Sequence, residues 1–303
     1  MIISHPACAL HDAGPGHPES PTRLAAVLDA LNAPAFALVP RQLAPTASIA
    51  QLLRVHDPAL IERVFASEPS VGQVRLDPDT AMSPHSLEAA LRAAGAVIAG
   101  VDAVLLGSSR RVFCAVRPPG HHASPSEAMG FCLFNNVAIG AAHALALGLS
   151  RVAILDFDVH HGNGTQAIFS AEPRLLFASS HQSPLYPGTG AESEHGVGNI
   201  FNAGLMPGAR SLEFREAWST LLFPHIEAFA PQLILISAGF DAHRLDPLAQ
   251  LNLRTEDFAW ISERIVALAE RSAHGRIVSS LEGGYSLTAL RECTTAHCTA
   301  LFG

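Results

Sequence analysis

Short runs of aliphatic and β-branched residues alternate with longer amphipathic stretches from about residue 80 onwards. This alternation is typical of successive βαβ units, which build a parallel sheet with helices on both faces. We expect strands at Met1–Ser4, Val112–Val116, Val152–Asp156, Leu175–Ser179, Leu233–Ser237 and Ile277–Leu281. The pattern therefore predicts an α/β fold.

Serine followed by proline marks the start of two predicted helices, because serine caps a helix and proline fits its first turn. These two starts are Ser20-Pro21 and Ser83-Pro84. Two further helices are predicted over Leu212–Ala230 and Glu256–Ser272, opening after Ser211 and Thr255. We find no internal repeat, low-complexity tract or linker-like stretch, so we expect a single domain over residues 1–303.

The amino-acid composition argues against a disordered protein and against a nucleic-acid-binding protein. Of the 303 residues, 49% are hydrophobic and 15% are charged, which is too apolar for a disordered chain and typical of a sheet buried on both faces. The formal charge of −8, with no basic run, argues against nucleic-acid binding and favours a basic substrate. All 19 cationic residues are arginine.

Cysteine usage and the N-terminal sequence predict the compartment. The five cysteines are odd in number and form no CxxC pair, which argues against a disulfide framework and against a thiolate zinc site. The N-terminal stretch lacks the charged and apolar regions of a signal peptide, and no apolar run reaches membrane-span length. We therefore expect a cytoplasmic protein with no membrane partner. The cysteines are Cys8, Cys114, Cys132, Cys293 and Cys298.

Residues that can do chemistry follow four of the predicted strands. The segments read RPPGHHA, DFDVHHGNG, SAGFDAH and EGGY, and each combines glycine with histidine, acid or tyrosine side chains. Open α/β sheets bind ligands at the carboxyl ends of their strands. The sequence therefore predicts a functional site where these four segments meet.

Asp158, His160 and Asp241 are candidate metal ligands. Two carboxylates and one imidazole leave a fourth zinc position open to water, as a catalytic site requires. Taken alone, a D-x-H triplet is common. For the triplet alone, two aspartates that cap helices and a buried, hydrogen-bonded histidine are the favoured explanation.

His121 and His122 form a tandem pair after a rigid Pro-Pro-Gly turn. A neutral imidazole near a metal-activated water is a natural general base, and a protonated one can donate to a leaving amine. Each ring needs a partner on its other nitrogen, for which Asp156 and Asn163 are the best candidates. Two surface histidines in a loop are the alternative.

Tyr285 follows two glycines that allow the backbone to turn tightly into a site. Its phenol could donate a hydrogen bond to a developing oxyanion. A tyrosine packed at the edge of the sheet is the alternative.

Taken together, these segments resemble the zinc-dependent histone deacetylase family, in a class II-like, prokaryotic form. The resemblance covers residues 17 to about 290. It implies a single-domain arginase/deacetylase fold with a mostly parallel eight-stranded sheet, and hydrolysis of an acylated amine to a carboxylate and a free amine. The motifs that carry it, in order, are HPESPTRL (17–24), RPPGHHA (117–123), GFCLFNN (130–136), DFDVHHGNG (156–164), LYPGTG (185–190), SAGFDAH (237–243) and EGGY (282–285).

The resemblance also implies roles for individual residues. The zinc ligands would be Asp158, His160 and Asp241. The catalytic set would be His121, His122, Tyr285, Asp156 and Asn163. The substrate tunnel would be lined by Gly130, Phe131, Leu248 and Tyr186, with Leu185 as the alternative to Tyr186. Arg23 would line an acetate channel, and a structural potassium ion would be held by Asp156, Asp158, His160 and Ser179.

Two positions bear on subtype and substrate. Asn163 stands where class I members carry an aspartate, which leaves His121 with Asp156 as the only charged pair. Leu248 stands where polyamine-preferring eukaryotic relatives carry a glutamate. The leading hypothesis is therefore a deacylase acting on acyl-lysine or a similar acylated amine. The alternatives are an acetylpolyamine amidohydrolase and a non-catalytic acyl-lysine binding module.

Overall fold

Buried residues occupy every position of the central strands, as expected for strands covered on both faces. A computed structural model describes residues 1–303. Its strands are β1 (Ile2–Ser4), β2 (Arg41–Leu43), β3 (Val74–Arg75), β4 (Ala81–Met82), β5 (Arg111–Cys114), β6 (Val152–Asp156), β7 (Leu175–Gln182), β8 (Ile200–Leu205), β9 (Leu233–Ala238) and β10 (Ile277–Leu281).

Eight of these strands form one sheet in the order β2-β1-β5-β10-β9-β6-β7-β8, and every neighbouring pair is parallel. Strands β3 and β4 form a separate antiparallel pair. The chain completes both edges before β9 and β10 enter the centre between β5 and β6. The predicted α/β fold with a mostly parallel eight-stranded sheet is confirmed.

Helices connect the strands in two layers. Helices α4 and α5 contact each other and the central strands, whereas α10 packs against both α1 and α9 in a second layer. The helices are α1 (Pro21–Leu31), α2 (Ile49–Leu52), α3 (Pro58–Ala66), α4 (Ser86–Leu105), α5 (Asn136–Ala146), α6 (Asn163–Phe169), α7 (Ser211–Glu216), α8 (Phe223–Phe229), α9 (Thr255–Ser272) and α10 (Leu287–Phe302). Short 3₁₀ turns lie at Pro6–Ala9 and Pro34–Phe36.

One hydrophobic core supports the whole chain, because 81 buried apolar residues form a single connected cluster. All five cysteines are free and buried. None of the helices is both long enough and apolar enough to span a membrane.

Two helix predictions need correction. The helix expected to begin at Ser83-Pro84 begins at Ser86, because the Ser83 hydroxyl accepts the Asp12 N–H and His85 adopts a left-handed conformation with φ 74°. The helix expected over Leu212–Ala230 is interrupted by a π-helical turn at Ala217–Leu222 and ends at Phe229.

The strand predictions differ mainly at the ends and edges. Predicted strand Val112–Val116 ends at Cys114, while the strand predicted over Leu175–Ser179 continues to Gln182. The edge strands β2 and β8 were not predicted. All three residues of β2 are exposed and β8 contains Asn202 and Gly204, so neither has the apolar run that marks a central strand.

Candidate active site and metal centre

The four chemistry-bearing segments follow four adjacent strands, β5, β10, β9 and β6. The strands end almost level, since Asp156 at the end of β6 is in register with Ser237 of β9, and Ser280 of β10 is in register with Cys114 of β5. The segments therefore meet at one point on the carboxyl edge of the sheet, which is where parallel sheets place their ligand sites.

Three candidate ligand atoms converge at this point. The Nδ1 atom of His160 lies 3.1 Å from Asp158 Oδ1 and 3.3 Å from Asp241 Oδ2. All three side chains are buried or nearly so, and their ligand atoms lie within 4.8 Å of one another. Two ligands of a tetrahedral zinc ion, each about 2.0–2.2 Å from the metal, are roughly 3.3–3.6 Å apart. The spacing therefore fits a small divalent cation after a slight outward movement.

Hydrogen bonding leaves one of these atoms free for a cation. Asp158 Oδ2 accepts the Gly283 N–H at 2.9 Å, and Asp241 Oδ1 accepts the Val159 N–H at 2.9 Å. Asp241 Oδ2 is buried and accepts no hydrogen bond. A buried carboxylate oxygen without a hydrogen bond is costly, and the only positive group beside this one is the His160 imidazole, 3.3 Å away.

The protonation of His160 also indicates that this position attracts a cation. Burial alone would lower its pKa, but the carboxylates of Asp158 and Asp241 raise the pKa of His160 to about 10. A proton on Nδ1 thus occupies the place that a metal ion would take. Metal binding at such a site releases that proton, so affinity should rise with pH.

His121 and His122 make the two contacts expected from the sequence. His121 Nδ1 lies 2.9 Å from Asp156 Oδ2, and His122 Nδ1 lies 2.8 Å from Asn163 Oδ1. The two imidazole centroids are 4.0 Å apart. Because Asn163 is the first residue of α6, it faces the histidine from a fixed helix end.

The two imidazoles differ in charge. Burial opposes protonation of both rings, but Asp156 and Asp158 raise the pKa of His121 to about 10. Burial, together with repulsion from His121 and His160, holds the pKa of His122 well below its usual range. His121 is therefore protonated at neutral pH, and His122 is neutral and able to accept a proton.

A cavity of about 240 Å³ leads to these groups. It brings together the candidate tunnel residues with both histidines and Tyr285. A larger and more open cavity of about 420 Å³ beside β1 and β2 contains none of the candidate residues, so size alone does not mark the site. The narrower cavity is lined by Asp79, Pro119, His121, His122, Gly130, Phe131, His160, Leu185, Tyr186, Leu248, Gly283 and Tyr285.

Phe131 is held at the cavity in a left-handed conformation with φ 68°. Its backbone N–H donates to Thr80 Oγ1 at 3.0 Å, and its ring meets the edge of His17 at a centroid distance of 4.7 Å. A bulky residue rarely adopts this conformation, which costs on the order of 1–3 kcal/mol. The neighbouring Gly130 admits no side chain, because a Cβ atom there would overlap the His122 ring.

Below the cavity, Arg23 is completely buried beside Tyr285. Its guanidinium lies 4.8 Å from the Tyr285 ring centroid and donates to the carbonyl oxygens of Glu282 (2.5 Å) and Gly284 (2.6 Å). Glu19, the buried counter-ion, accepts from Arg23 at 2.9 Å. Burial raises the pKa of Tyr285 well above its usual value, so the phenol keeps its proton.

Ser179 lies beside the metal-ligand candidates. It is the register partner of Asp156 on the neighbouring strand β7, and its hydroxyl is 3.0 Å from His181 Nδ1. Asp156 Oδ1 accepts the Asp158 N–H at 3.1 Å.

A family model described as the histone deacetylase domain matches residues 17–301. The chain belongs to the histone deacetylase family. This is a family of amide-hydrolysing enzymes, and the chain is therefore assigned to the deacetylase class of hydrolases.

Relatives from three domains of life support the family assignment. A histone deacetylase-like amidohydrolase of Pseudomonas aeruginosa is 40% identical over 96% of this chain and 78% of the relative. A probable deacetylase of Archaeoglobus fulgidus is 40% identical over 94% of this chain and 81% of the relative. A type-2 histone deacetylase 2 of Dictyostelium discoideum is 38% identical over 99% of this chain, which spans only 20% of that much longer protein.

A solved structure has the same fold. The crystal structure of the HDA15 HD domain superposes with a TM-score of 0.92 at 33% identity, covering 100% of this chain and 91% of that one. The arginase/deacetylase fold expected of the family is therefore confirmed.

Sequence reasoning missed three buried carboxylates around the site. Glu282 accepts the N–H groups of Gly120 (2.6 Å) and His121 (3.2 Å), and burial raises the pKa of its carboxyl to about 7. Glu19 pairs with Arg23, and Asp246 accepts backbone hydrogen bonds near the cavity. Glu19 and Glu282 lie within the quoted motifs, and Asp246 lies two residues before Leu248, so all three were close to residues with an assigned role.

Proposed function

We propose that this chain is a zinc-dependent deacylase that removes acetyl or another short acyl group from acyl-lysine or a similar acylated amine. The main support for the proposal is the convergence of His160 Nδ1, Asp158 Oδ1 and Asp241 Oδ2, which accepts no hydrogen bond, at the base of a narrow cavity. A zinc ion, when bound there, supplies Lewis acidity that activates water and polarises an amide carbonyl.

The two histidines divide the proton transfers. His122 is neutral, so it accepts a proton from the attacking water at Nε2, while Asn163 fixes the ring through Nδ1. The same proton then passes to the departing amine nitrogen as the carbon–nitrogen bond breaks. His121, protonated and paired with Asp156, supplies a fixed positive charge beside this transfer.

Tyr285 serves as the oxyanion donor. Its phenol is protonated and lines the cavity, so its O–H can donate to the carbonyl oxygen as negative charge develops there. Arg23, buried beneath the phenol, keeps the Tyr285 ring in place and presents a positive charge to a departing carboxylate.

The cavity walls suit an acylated alkyl amine. The rings of Phe131 and Tyr186 face the two catalytic candidates, with centroid distances of 5.9 Å from Phe131 to Tyr285 and 5.2 Å from Tyr186 to His122. These two aromatic walls, together with Gly130 and Leu248, provide an apolar surface suited to a methylene chain.

A potassium ion is a secondary part of the proposal. Asp156, Asp158, His160 and Ser179 lie on two adjacent strands and the loop that follows one of them, and Ser179 is the register partner of Asp156, which supports a shared cation at this place. Its expected effect is to stabilise the loop that carries the zinc ligands.

The test is a substrate panel on protein of defined metal content. Zinc-loaded enzyme should hydrolyse a fluorogenic acetyl-lysine peptide, lose activity to a chelator, and regain it on zinc addition. N-acetylputrescine in the same panel tests the polyamine alternative, which the leucine at position 248 disfavours and the Asp79 carboxylate at the cavity favours. Binding of acetyl-lysine peptide without turnover by zinc-loaded protein would reject the enzymatic proposal in favour of a binding module.

A further inference from the structure

Three arginines line a second cavity on the surface. Its volume is about 490 Å³, and the residues that line it include no hydrophobic side chain. It is lined by Arg210, Ser211, Arg244, Asn252 and Arg254, and we call it the arginine cleft. A wall of guanidinium, hydroxyl and amide groups suits an anion and offers nothing to an apolar ligand.

The guanidinium groups of the arginine cleft are unpaired. Most other arginines of the chain pair with a carboxylate, a carbonyl or an aromatic ring, as Arg215 and Arg271 do. Arg210, Arg244 and Arg254 make no such contact, and Arg276 is the one other arginine in that state. Three of four free guanidinium groups thus meet at one place in a chain whose formal charge is −8.

Nearby carboxylates do not neutralise the arginine cleft. Asp257 accepts the Ser211 hydroxyl at 2.6 Å and is paired with Arg215 at 2.8 Å, so its charge is already balanced. Glu213 accepts the backbone N–H of Arg210 at 2.9 Å, and this hydrogen bond together with the charge of Arg210 lowers the pKa of the Glu213 carboxyl. Glu213 therefore offsets at most one of the three guanidinium charges, and the cleft keeps a net positive charge.

The arginine cleft is joined to the candidate active site by one short segment. Asp241 begins this segment, Leu248 lines the active-site cavity, and Asn252 lines the cleft. Asn252 is four positions after Leu248, so their Cα atoms are at most about 14 Å apart. The cleft is therefore within reach of a peptide whose acyl-lysine occupies the cavity.

Backbone hydrogen bonds hold the chain just before Arg210 against the segment that links the cavity to the cleft. The Gly208 N–H donates to Gln250 O at 3.0 Å, and the Asn252 N–H donates to Ala209 O at 2.8 Å. Arg210 follows directly, so its position relative to the segment is fixed.

We propose that the arginine cleft binds acidic side chains of a peptide substrate, about three to five residues to one side of the acyl-lysine. The inference rests on the deacylase function proposed above and adds a substrate preference to it. Arginine binds carboxylates in a bidentate manner, and Leu248 and Asn252 of the cleft are separated by at most about four residues of extended chain. The cleft would thus favour substrates with acidic residues near the acyl-lysine, although the negative net charge of the whole protein repels such substrates.

The test compares acetyl-lysine peptides that carry two glutamates, or two glutamines, about four residues before or after the acyl-lysine. Glutamate on one side only should lower KM roughly three- to tenfold with kcat unchanged, because the contacts lie far from the reacting atoms. The difference should disappear in R210Q/R244Q/R254Q and at high salt. It should persist in R276Q, which removes one positive charge next to the amino end of β10 and is matched to the single variant R244Q.

The outcomes separate the two proposals. Turnover with equal KM for the glutamate and glutamine peptides would overturn the cleft inference and leave the deacylase function intact. No turnover of any peptide would overturn the deacylase function. In that case, fluorescence anisotropy of the same peptides decides the cleft inference, which fails if R210Q/R244Q/R254Q binds as the native chain does.

Two further controls sharpen the result. If the triple variant is unstable, the single variant R244Q takes its place and should show a smaller part of the same KM change. Binding of inorganic pyrophosphate, but not of glutamate peptides, would assign the cleft to a small polyanion and overturn the proposal.

Discussion

The carboxylate of Asp246 accepts the backbone N–H of Tyr285 at 2.7 Å. The same carboxylate accepts the N–H of Leu248 at 3.0 Å and that of Ser286 at 3.3 Å. One buried side chain thus joins the proposed oxyanion donor to the rim of the cavity. Asp246 is a positioning residue in this arrangement, since it touches neither the proposed metal position nor the substrate cavity.

Replacing Asp246 with asparagine should lower kcat roughly 10- to 100-fold, because an amide offers one acceptor oxygen where the carboxylate uses two, and small displacements of catalytic groups are costly. Zinc content and KM should change little. Steady-state kinetics with metal analysis provides the check, with Asp29→Asn on the exposed surface as the control. A normal kcat would show that Tyr285 is positioned by other contacts.

Replacing Asp241 with alanine should remove zinc and activity together, because only two of the three proposed ligands remain. Metal analysis should find less than a tenth of the zinc bound by the native chain, with the circular dichroism spectrum unchanged. Asp246→Asn is the matched control, since it alters a buried aspartate five residues away and should retain zinc. Full zinc occupancy in Asp241→Ala would mean that the ligand set is wrong.

Replacing Tyr285 with phenylalanine should lower kcat by about 100-fold or more, the usual effect of removing one oxyanion donor. The phenol contacts charge that is present mainly in the transition state, so KM should change far less. Fluorogenic peptide kinetics on zinc-loaded protein measures both constants. An unchanged kcat would exclude Tyr285 from the oxyanion role.

Replacing Asn163 with aspartate should raise the apparent acidic pKa of the kcat/KM profile by about one unit or more. Burial holds the pKa of His122 well below its usual range, and a carboxylate at 2.8 Å from Nδ1 would favour the imidazolium. As the pH falls, His122 of the variant would become protonated, and so stop acting as a base, at a higher pH than His122 of the native chain. An acidic limb that stays in place would show that His122 is not the group titrating there.

Glu282→Gln should stabilise the protein at alkaline pH. Burial raises the pKa of Glu282 from 4.5 to about 7, so the folded state binds a proton more tightly than the unfolded state. The stability that this proton provides is complete below about pH 4.5 and is lost as the pH rises through 7. Glutamine keeps an oxygen for Gly120 and His121 and does not titrate.

The difference in unfolding free energy between Glu282→Gln and the native chain should therefore grow in favour of glutamine between pH 5 and 8, by on the order of 3 kcal/mol. Urea denaturation at several pH values measures it. A constant difference across that range would mean that Glu282 is ionised throughout, through its interaction with His121.

The sequence predicted the centre of the sheet well and its edges poorly. Strands β6, β9 and β10 are continuous apolar runs followed by motif residues, so both their position and their common functional edge were predictable. Strand β2 consists of three exposed residues. It is a strand only because it pairs with β1, and its sequence has no apolar pattern that would predict it.

The candidate site likewise contains contacts that the sequence predicts and contacts that it does not. The contact between His121 and Asp156 joins two recognisable motifs and was expected from them. The contacts of Glu282 with Gly120 and of Asp246 with Tyr285 span 162 and 39 residues. Neither pairing has a periodic pattern, and each depends on how the loops pack after the strands have assembled.

The glycines at positions 239 and 283 limit how this protein can change. A Cβ atom at Gly239 would overlap the Asp158 carboxylate, and one at Gly283 would overlap the carboxylates of both Asp158 and Asp241. No side chain can therefore be introduced between the sheet and the metal-ligand candidates. Redesign for a longer or differently charged acyl group has to start from the other side, at Tyr186 and Leu248, where one wall is already partly open to solvent.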